Sequence, residues 1–315
     1  MTDTFHYSKE FVKSIEYLHR GMENWPNYQD YIEDHLGGPN SRVIKFTKYL
    51  CPEIEYHCGN LKDKKILDFG CGTGSTTVAL AQNSEKVYAF DIDDESIEIS
   101  KQRINEHGLN SRVQFLCSDD INTYKDSIGT FDLIVVNGVI EHIPLSRTGL
   151  RKKIMLSLFE LLNKSGHIFI NETPNRLWPY DFHSTQLWWL PWTKPGSEWA
   201  YNRAVKKGRY SDAPRISKGP LGLEEVGVWG VTYWEVKSYF EGQQFVCLNV
   251  LNGHNRHLHY LNRDVHYSFP GMWKRTLART LVAFEFVMYY FAAKLFKIPI
   301  TAFYPNIINL VIKRI

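Results

Sequence analysis

Residues Lys65 to Leu80 read K-I-L-D-F-G-C-G-T-G-S-T-T-V-A-L. Ile66, Leu67 and Phe69 form a short apolar run, as in a strand buried on both faces. Gly70, Gly72 and Gly74 follow at alternating positions. Ser75, Thr76 and Thr77 then lead into a helix start. Glycine lets a backbone approach its ligand closely, and free N–H groups at a helix start favour a carboxylate or phosphate. A dinucleotide turn, G-x-G-x-x-G, would need Gly at position 75. Ser75 stands there, and the pattern is D-x-G-x-G-x-G, beginning at Asp68.

Carboxylates recur downstream at the ends of the next apolar runs. Asp91 closes K-V-Y-A-F-D, about 20 residues past the first glycine, where an acid commonly binds ribose hydroxyls. A carboxylate can accept two hydrogen bonds from a vicinal diol. Asp119 and Asp120 close F-L-C-S-D-D, beside the base half of a nucleotide in a sheet of this kind. Asp119 is suited to an adenine amino group, and either acid equally to capping a helix.

Two histidines have the chemistry of a base. His142 lies in N-G-V-I-E-H-I-P, and an unperturbed imidazole titrates near neutrality. Ordering that loop is an equal reading for it. His183 lies in E-T-P-N-R-L-W-P-Y-D-F-H-S-T-Q, with Asp181 as an orienting partner; a plain loop histidine is the competing reading. In this second stretch Glu172, Asn175, Arg176 and Asp181 are set among Trp178, Tyr180 and Phe182. The mixture suits an amphipathic acceptor pocket with a few orienting groups. Arg203, Lys206, Lys207, Arg209, Arg215 and Lys218 form a basic run, which usually means a solvated surface. His254, His257 and His259 cluster without a carboxylate or thiol at metal-ligand spacing, so no metal is expected.

The elements that would position these groups alternate. Short helices occupy residues 1–60, an N-terminal helical cap, with the third running from about Asn40 to Leu50. Between 61 and 172 apolar runs at Ile66, Lys86–Phe90, Val113–Cys117, Phe131–Val136 and His167–Asn171 alternate with helical periods. Repeated strand–helix units predict a doubly wound, mostly parallel α/β sheet with helices on both faces. Residues 173–230 break the pattern and hold six of the nine tryptophans, as expected of an aromatic-rich insertion acting as a lid. A helix at Tyr233–Phe240 and strands at Phe245–Leu251 and Ile307–Ile312 would complete seven strands within 231–315. An apolar helix at 276–296 is inserted there. Packing is its first reading; the second lays 273–296 on a membrane surface, with Trp273, Lys274, Arg275 and Arg279 at its start.

Composition narrows the class. The 315 residues carry 37 basic and 34 acidic side chains, too balanced to argue for nucleic acid. Five cysteines show no C-x-x-C pair, and the polar start Met1-Thr2-Asp3 is no signal peptide, so a reduced cytoplasmic setting is expected. No run of about 18 uncharged apolar residues occurs.

Five segments, ILDFGCGTG, VYAFDID, the Asp after the third strand, FDLIVVNGVIEHIP and LLNKSGHIFINETPN, together resemble the class I S-adenosylmethionine-dependent methyltransferases. The group that includes the ubiquinone-biosynthesis enzymes is the most similar in pattern, over about 66 to 175. The resemblance implies a Rossmann-like sheet and S-adenosylmethionine as cofactor. It implies that Asp68 and the turn Gly70, Cys71, Gly72, Gly74 hold the methionine end. Asp91 would take the ribose and Ile92 the adenine face, with Asp119 and Asp120 at the adenine amino group. Asn137 and Gly138 would lie beneath the sulfonium, with His142 facing the site. The expected reaction is methyl transfer to a small-molecule or lipid-linked acceptor, at oxygen in preference to nitrogen. Two rivals are weaker: an NAD(P)-dependent oxidoreductase using Tyr233-x-x-x-Lys237, and a non-catalytic binding protein of the same fold.

Overall fold

The computed structural model describes residues 5–23, 28–38, 41–210, 213–248, 272–304 and 307–315. The histidines 254, 257, 259 and 266 lie outside the described residues.

Seven strands form one sheet: β1 (Lys65–Phe69), β2 (Lys86–Asp91), β3 (Val113–Cys117), β4 (Phe131–Asn137), β5 (Leu162–Pro174), β6 (Phe245–Leu248) and β7 (Ile307–Arg314). Their order is β3-β2-β1-β4-β5-β7-β6. β1 to β5 are parallel, and β7 enters antiparallel between β5 and β6. The order reverses between β1 and β4, so the crevice at their carboxyl ends is where such a sheet binds ligand. Continuous apolar strands are the reason for the central position of β4. Leu133 and Val135 face one helical layer while Ile134 and Val136 face the other, and all four are fully buried.

The connecting helices are α5 (Ser75–Asn83) and α6 (Asp94–Glu106) after β1 and β2, α7 (Lys125–Ile128) after β3, and α8 (Leu150–Glu160) after β4. Before the sheet come α1 (Lys9–Leu18) and α2 (Tyr28–His35). α3 (Arg42–Lys45) then runs through a π turn (Phe46–Leu50) directly into α4 (Cys51–Cys58). The sequence suggests a stop at Leu50, with Pro52 close behind. Pro52 instead falls at the start of α4, directly after the π turn, in which the Cys51 N–H bonds back to Phe46 O.

β5 also outruns its expected end at Asn171. It continues to Pro174 through a register shift against β7, and Glu172 stands in that irregularity with φ 53°. Beyond it lie α9 (Glu198–Lys206) and α10 (Pro220–Glu225), with Leu190, Ala200, Ala204, Leu223 and Trp229 forming a separate small core. α11 (Tyr233–Tyr239) returns to the sheet, and Tyr233 is buried in the main core.

The packing expectation for the apolar helix fails for most of its length. α12 (Met272–Phe296) rests on the body through Phe286, Tyr289 and Ala293, which meet Ile300, Phe303 and Tyr304, with Trp178 against Tyr289. Leu277, Leu281, Phe284, Met288, Phe291 and Leu295 are 54–77% exposed. Their spacing of four and three places them on one stripe, opposite the packed face. Among the described residues no helix is long and apolar enough to cross a membrane.

Candidate active site

Three glycines shape the turn after β1, each for its own reason. Gly70 has φ 73°, and a Cβ there would lie 2.5 Å from Val139 Cγ2. Gly74 has φ 83° and a virtual Cβ 2.3 Å from Ser100 Oγ. Gly72 also has a positive φ, 50°, yet nothing lies within 4 Å of its virtual Cβ. Packing therefore demands the outer two, while the middle one faces open space that a ligand can occupy.

The surrounding acids are tied to this turn. Asp91 accepts from the Gly72 N–H at 2.7 Å and from the Asp93 N–H at 3.1 Å. Burial raises its pKa, and those N–H bonds partly offset the rise. Asp68 is buried and accepts from Thr77 Oγ1 at 2.6 Å, anchoring the start of α5; burial pushes it up to about 7. Cys71 is buried beside the turn. Asn137 donates to Thr76 Oγ1 at 2.9 Å and accepts from Asn171 Nδ2 at 2.8 Å, which joins the ends of β4 and β5 to α5. Gly138 follows with φ 66°. Ile92 projects outward, 70% exposed, and Asp119 is exposed at the β3 end. Asp120 caps a short helical turn, accepting from Asn122 N at 2.9 Å.

The N-terminal helices, expected to cover one edge of the cradle, reach the same turn. His35 Nδ1 lies 3.1 Å from Thr73 Oγ1, and the buried Arg103 donates to Thr73 O at 2.6 Å and His35 O at 3.1 Å. Arg103 lies one helical turn beyond the buried Ile99, a spacing that marks it as inward-facing.

On the other side of the crevice, the loop after β4 brings Glu141 and His142 against His183. The His142 and His183 rings are 5.3 Å apart. His142 Nε2 is 3.9 Å from Glu141 Oε1, and its Nδ1 is 2.6 Å from Glu225 O. Both rings reach solvent, whereas Glu141 is fully buried, with Thr173 and the His142 ring beside its carboxylate. Burial raises the Glu141 pKa, offset in part by His142 and Arg151. The edge of His183 is open, yet protein packs round it; that packing, and then the His142 charge, hold its imidazole neutral. Gly227 has φ 85°, and its virtual Cβ lies 2.9 Å from both Glu141 Cγ and His183 Cδ2. Arg151 donates to the carbonyls of Ile143, Glu141, Trp229 and Gly230 at 2.8–3.2 Å, clamping this loop to the end of the insertion. Sequence reasoning singled out the two histidines but not Glu141, Gly227 or Arg151.

Much of the expected acceptor pocket is committed elsewhere. Asp181 does not meet the His183 ring. Its oxygens accept from His183 N, Ser184 N and Oγ, and Thr185 N and Oγ1, so it holds its own loop. Asn175 donates to Ala302 O and Tyr304 O, Arg176 pairs with Glu235 at 3.1 Å, and Trp178 Nε1 donates to Phe303 O. Tyr180 packs on Phe182 and Trp188. The gap among Pro174, Asn175, Arg176, Tyr180, Asp181 and Phe182 is only about 10 Å³. Glu172 N donates to Asn309 Oδ1 at 3.3 Å. In the basic run, Arg215 reaches Asp93 at 3.2 Å, on the loop beside Asp91, while Lys206, Lys207 and Lys218 are exposed.

A doubly wound sheet with this turn at its switch point matches known proteins. The chain matches the Methyltransferase domain family over residues 60–193. It is 25% identical over 198 residues to a ubiquinone biosynthesis O-methyltransferase of Coxiella burnetii, covering 61% of this chain and 76% of that protein. It is 30% identical over 113 residues to a probable cobalt-precorrin-6B C(15)-methyltransferase of Saccharolobus solfataricus, 35% of this chain and 53% of that one. This chain thus spans only about half of the precorrin relative. A solved S-adenosylmethionine-dependent methyltransferase from Clostridium acetobutylicum overlays 46% of this chain and 56% of its own, with 22% identity and a TM-score of 0.36. Residues 60–193 thus carry a methyltransferase domain of the class I S-adenosylmethionine-dependent kind. S-adenosylmethionine is its cofactor and methyl transfer its reaction.

Proposed function

We propose that the protein methylates a hydroxyl oxygen of a small or lipid-linked acceptor. The observation that carries this is the open cluster of Glu141, His142 and His183, on the loop that leaves the switch point at Asn137 and Gly138. An oxygen acceptor must lose a proton, and this cluster is where the chain has groups to handle it. Similarity to a protein named as an O-methyltransferase supports the choice of oxygen.

In this reading Asp68, Gly70, Cys71, Gly72 and Gly74 receive the methionine end of the cofactor. Asp91 takes the ribose diol through its remaining lone pairs. Ile92 covers the adenine, and Asp119, with Asp120 beside it, meets the adenine amino group. Asn137 and Gly138 border the reacting centre. Bound there, S-adenosylmethionine supplies a methyl on a positive sulfur, so the chain's main work is to position the acceptor on the far side of that methyl. Residues 1–60 cap the cofactor, 61–172 hold it, 173–230 cover the acceptor and 231–315 complete the sheet. Glu172, Asn175, Arg176, Trp178, Tyr180 and Asp181 then act by shaping the lid more than by touching substrate.

The outward stripe of α12 supports peripheral attachment to an anionic lipid surface, and so a lipid-linked acceptor. Four basic residues, Lys274, Arg275, Arg279 and Lys294, stand against the single acid Glu285 in this helix. That balance suits anionic headgroups. The trial is methyl-labelled cofactor offered with hydroxyl and amine acceptors, with and without anionic vesicles. Transfer to hydroxyl acceptors and co-flotation with vesicles are expected, the latter abolished by Leu281→Asp with Phe291→Asp. Transfer to amines alone would overturn the oxygen assignment. Equal flotation of the double variant would remove the lipid role of α12.

A further inference from the structure

We propose that the cavity between the end of α12, the start of α11 and β6 binds a single-chain amphiphile with an anionic head, a carboxylate or a phosphate. The site involves neither the methyl-transfer crevice nor the outward stripe of α12, and it does not rest on the reading of either.

The cavity holds about 410 Å³, within the range of pockets that bury a small organic ligand. Ala293, Ile298 and Pro299 give it an apolar wall. That wall is fixed in place. Ala293 is buried beside Ile300 and Tyr304, while Ile298 packs on the main core together with Cys247. Tyr233, Tyr290, Cys247, Lys294 and Lys297 complete the lining.

The polar groups decide the charge of the ligand. Two lysines line the cavity, and among the described residues no carboxylate lines it to answer them. Burial pushes the Tyr233 hydroxyl and the Cys247 thiol each up to about 12, so both keep their protons at neutral pH. Tyr233 is only 4% exposed, and its hydroxyl stands beside Cys247, with no hydrogen-bond acceptor among the described residues. A bound oxyanion supplies the acceptor that this hydroxyl lacks and the counter-charge that the lysines lack. An apolar wall beside such a group of donors selects a head that carries an apolar chain.

Lys297 is placed at a cost. The Ile298 N–H bonds to Ala293 O at 3.0 Å and closes the end of α12, and Lys297 within that closure has φ 54°. Helix ends of this form favour glycine at that position. A lysine there bears strain that glycine would avoid, and strain of this kind gathers at ligand clamps. It brings a second ammonium to the cavity, one helical turn after Lys294. The helix dipole favours lysine near a C-terminus, but it gives no reason for the left-handed backbone or for the Tyr233 hydroxyl. A head group held by all three residues ties the end of α12 to α11, and its chain lies along the apolar wall.

The experiment is calorimetric titration of the full chain with dodecanoate and with dodecyl phosphate, each below its micelle concentration and without vesicles. Inorganic phosphate, dodecyltrimethylammonium and dodecyl maltoside are the comparison probes. One equivalent of each anionic amphiphile is expected to bind wild type and to raise Tm. Lys294→Gln with Lys297→Gln should weaken binding at least about 10-fold, and Tyr233→Phe at least about 3-fold. S-adenosylmethionine affinity within about 2-fold of wild type shows that each variant is folded; should the double variant unfold, Lys297→Gly, which suits the turn, gives the same reading. No saturable binding of either anionic amphiphile, binding untouched by the variants, or equal binding of the cationic or uncharged amphiphile overturns the site. Inorganic phosphate bound as tightly as dodecyl phosphate overturns the amphiphile in favour of the free anion.

Discussion

The two sides of the crevice are built on opposite plans. On the cofactor side the acids and the amide are held by short local contacts: Asp91 by two backbone N–H groups, Asp68 by Thr77, Asn137 by Thr76 and Asn171. On the acceptor side the buried Glu141 carboxylate lies by Thr173 and His142, and two imidazoles stand open beside it. Groups fixed by such contacts are preorganised, whereas an open imidazole keeps an edge for a ligand. The difference teaches where to look for acceptor specificity, on the side of the open imidazoles.

The comparison breaks most readily at Asp91. Asp91→Ala removes two charge-assisted bonds that the ribose hydroxyls would donate, worth about 1.5–3 kcal/mol each, and releases Gly72. S-adenosylmethionine affinity by calorimetry should fall at least about 100-fold. A loss below about 3-fold would remove Asp91 from the cofactor site.

Gly227→Ala addresses the other side. The new methyl meets Glu141 and His183 at a positive φ, a strain of about 1–3 kcal/mol. Steady-state kinetics should show kcat/KM down about 10-fold or more, with cofactor affinity within about 2-fold. Parallel loss of both would mean the two sides are one cooperative unit.

The smallest effect concerns acid. His19 lies in the N-terminal cap and His167 on β5; burial pushes each down to about 4. In the unfolded chain each titrates near 6.5, so the unfolded state binds more protons below that pH. Stability from these neutral rings is whole above about pH 6.5 and is lost as pH falls toward about 4, at up to about 1.4 kcal/mol per pH unit for each. Thermal melts from pH 7.5 to 5 should fall accordingly, and His19→Gln should flatten the slope. A pH-independent melting temperature would contradict it.

The glycine turn and its neighbouring acids were legible as a structural unit because their positions are local in the chain. Glycine turn, capping hydroxyls and strand-end acids occupy Asp68 to Asp91, where type and spacing carry the meaning. The seven strands were legible for the same reason: runs such as Phe131 to Val136 are apolar at every position, and a parallel strand buried on both faces needs that. Asp181 misled because its five hydrogen bonds are to its own loop, and a carboxylate for a neighbouring histidine looks the same in sequence. The exposed stripe of α12 misled because an apolar helix reads alike whether its second face meets protein or faces outward.

The glycine turn with which the chain announces its chemistry needed no tertiary contact to be read. Backbone conformation and strand ends are properties of neighbouring residues, so the sequence alone determined the sheet, the cofactor class and the reaction. The grouping of Glu141 and His142 with His183 and Gly227 was decided only by the fold. Those residues come from segments more than 40 positions apart, brought together by the Arg151 clamp and the small core of the insertion. Periodicity carries no information about such a meeting, because it reports which face a residue takes and not what that face will touch.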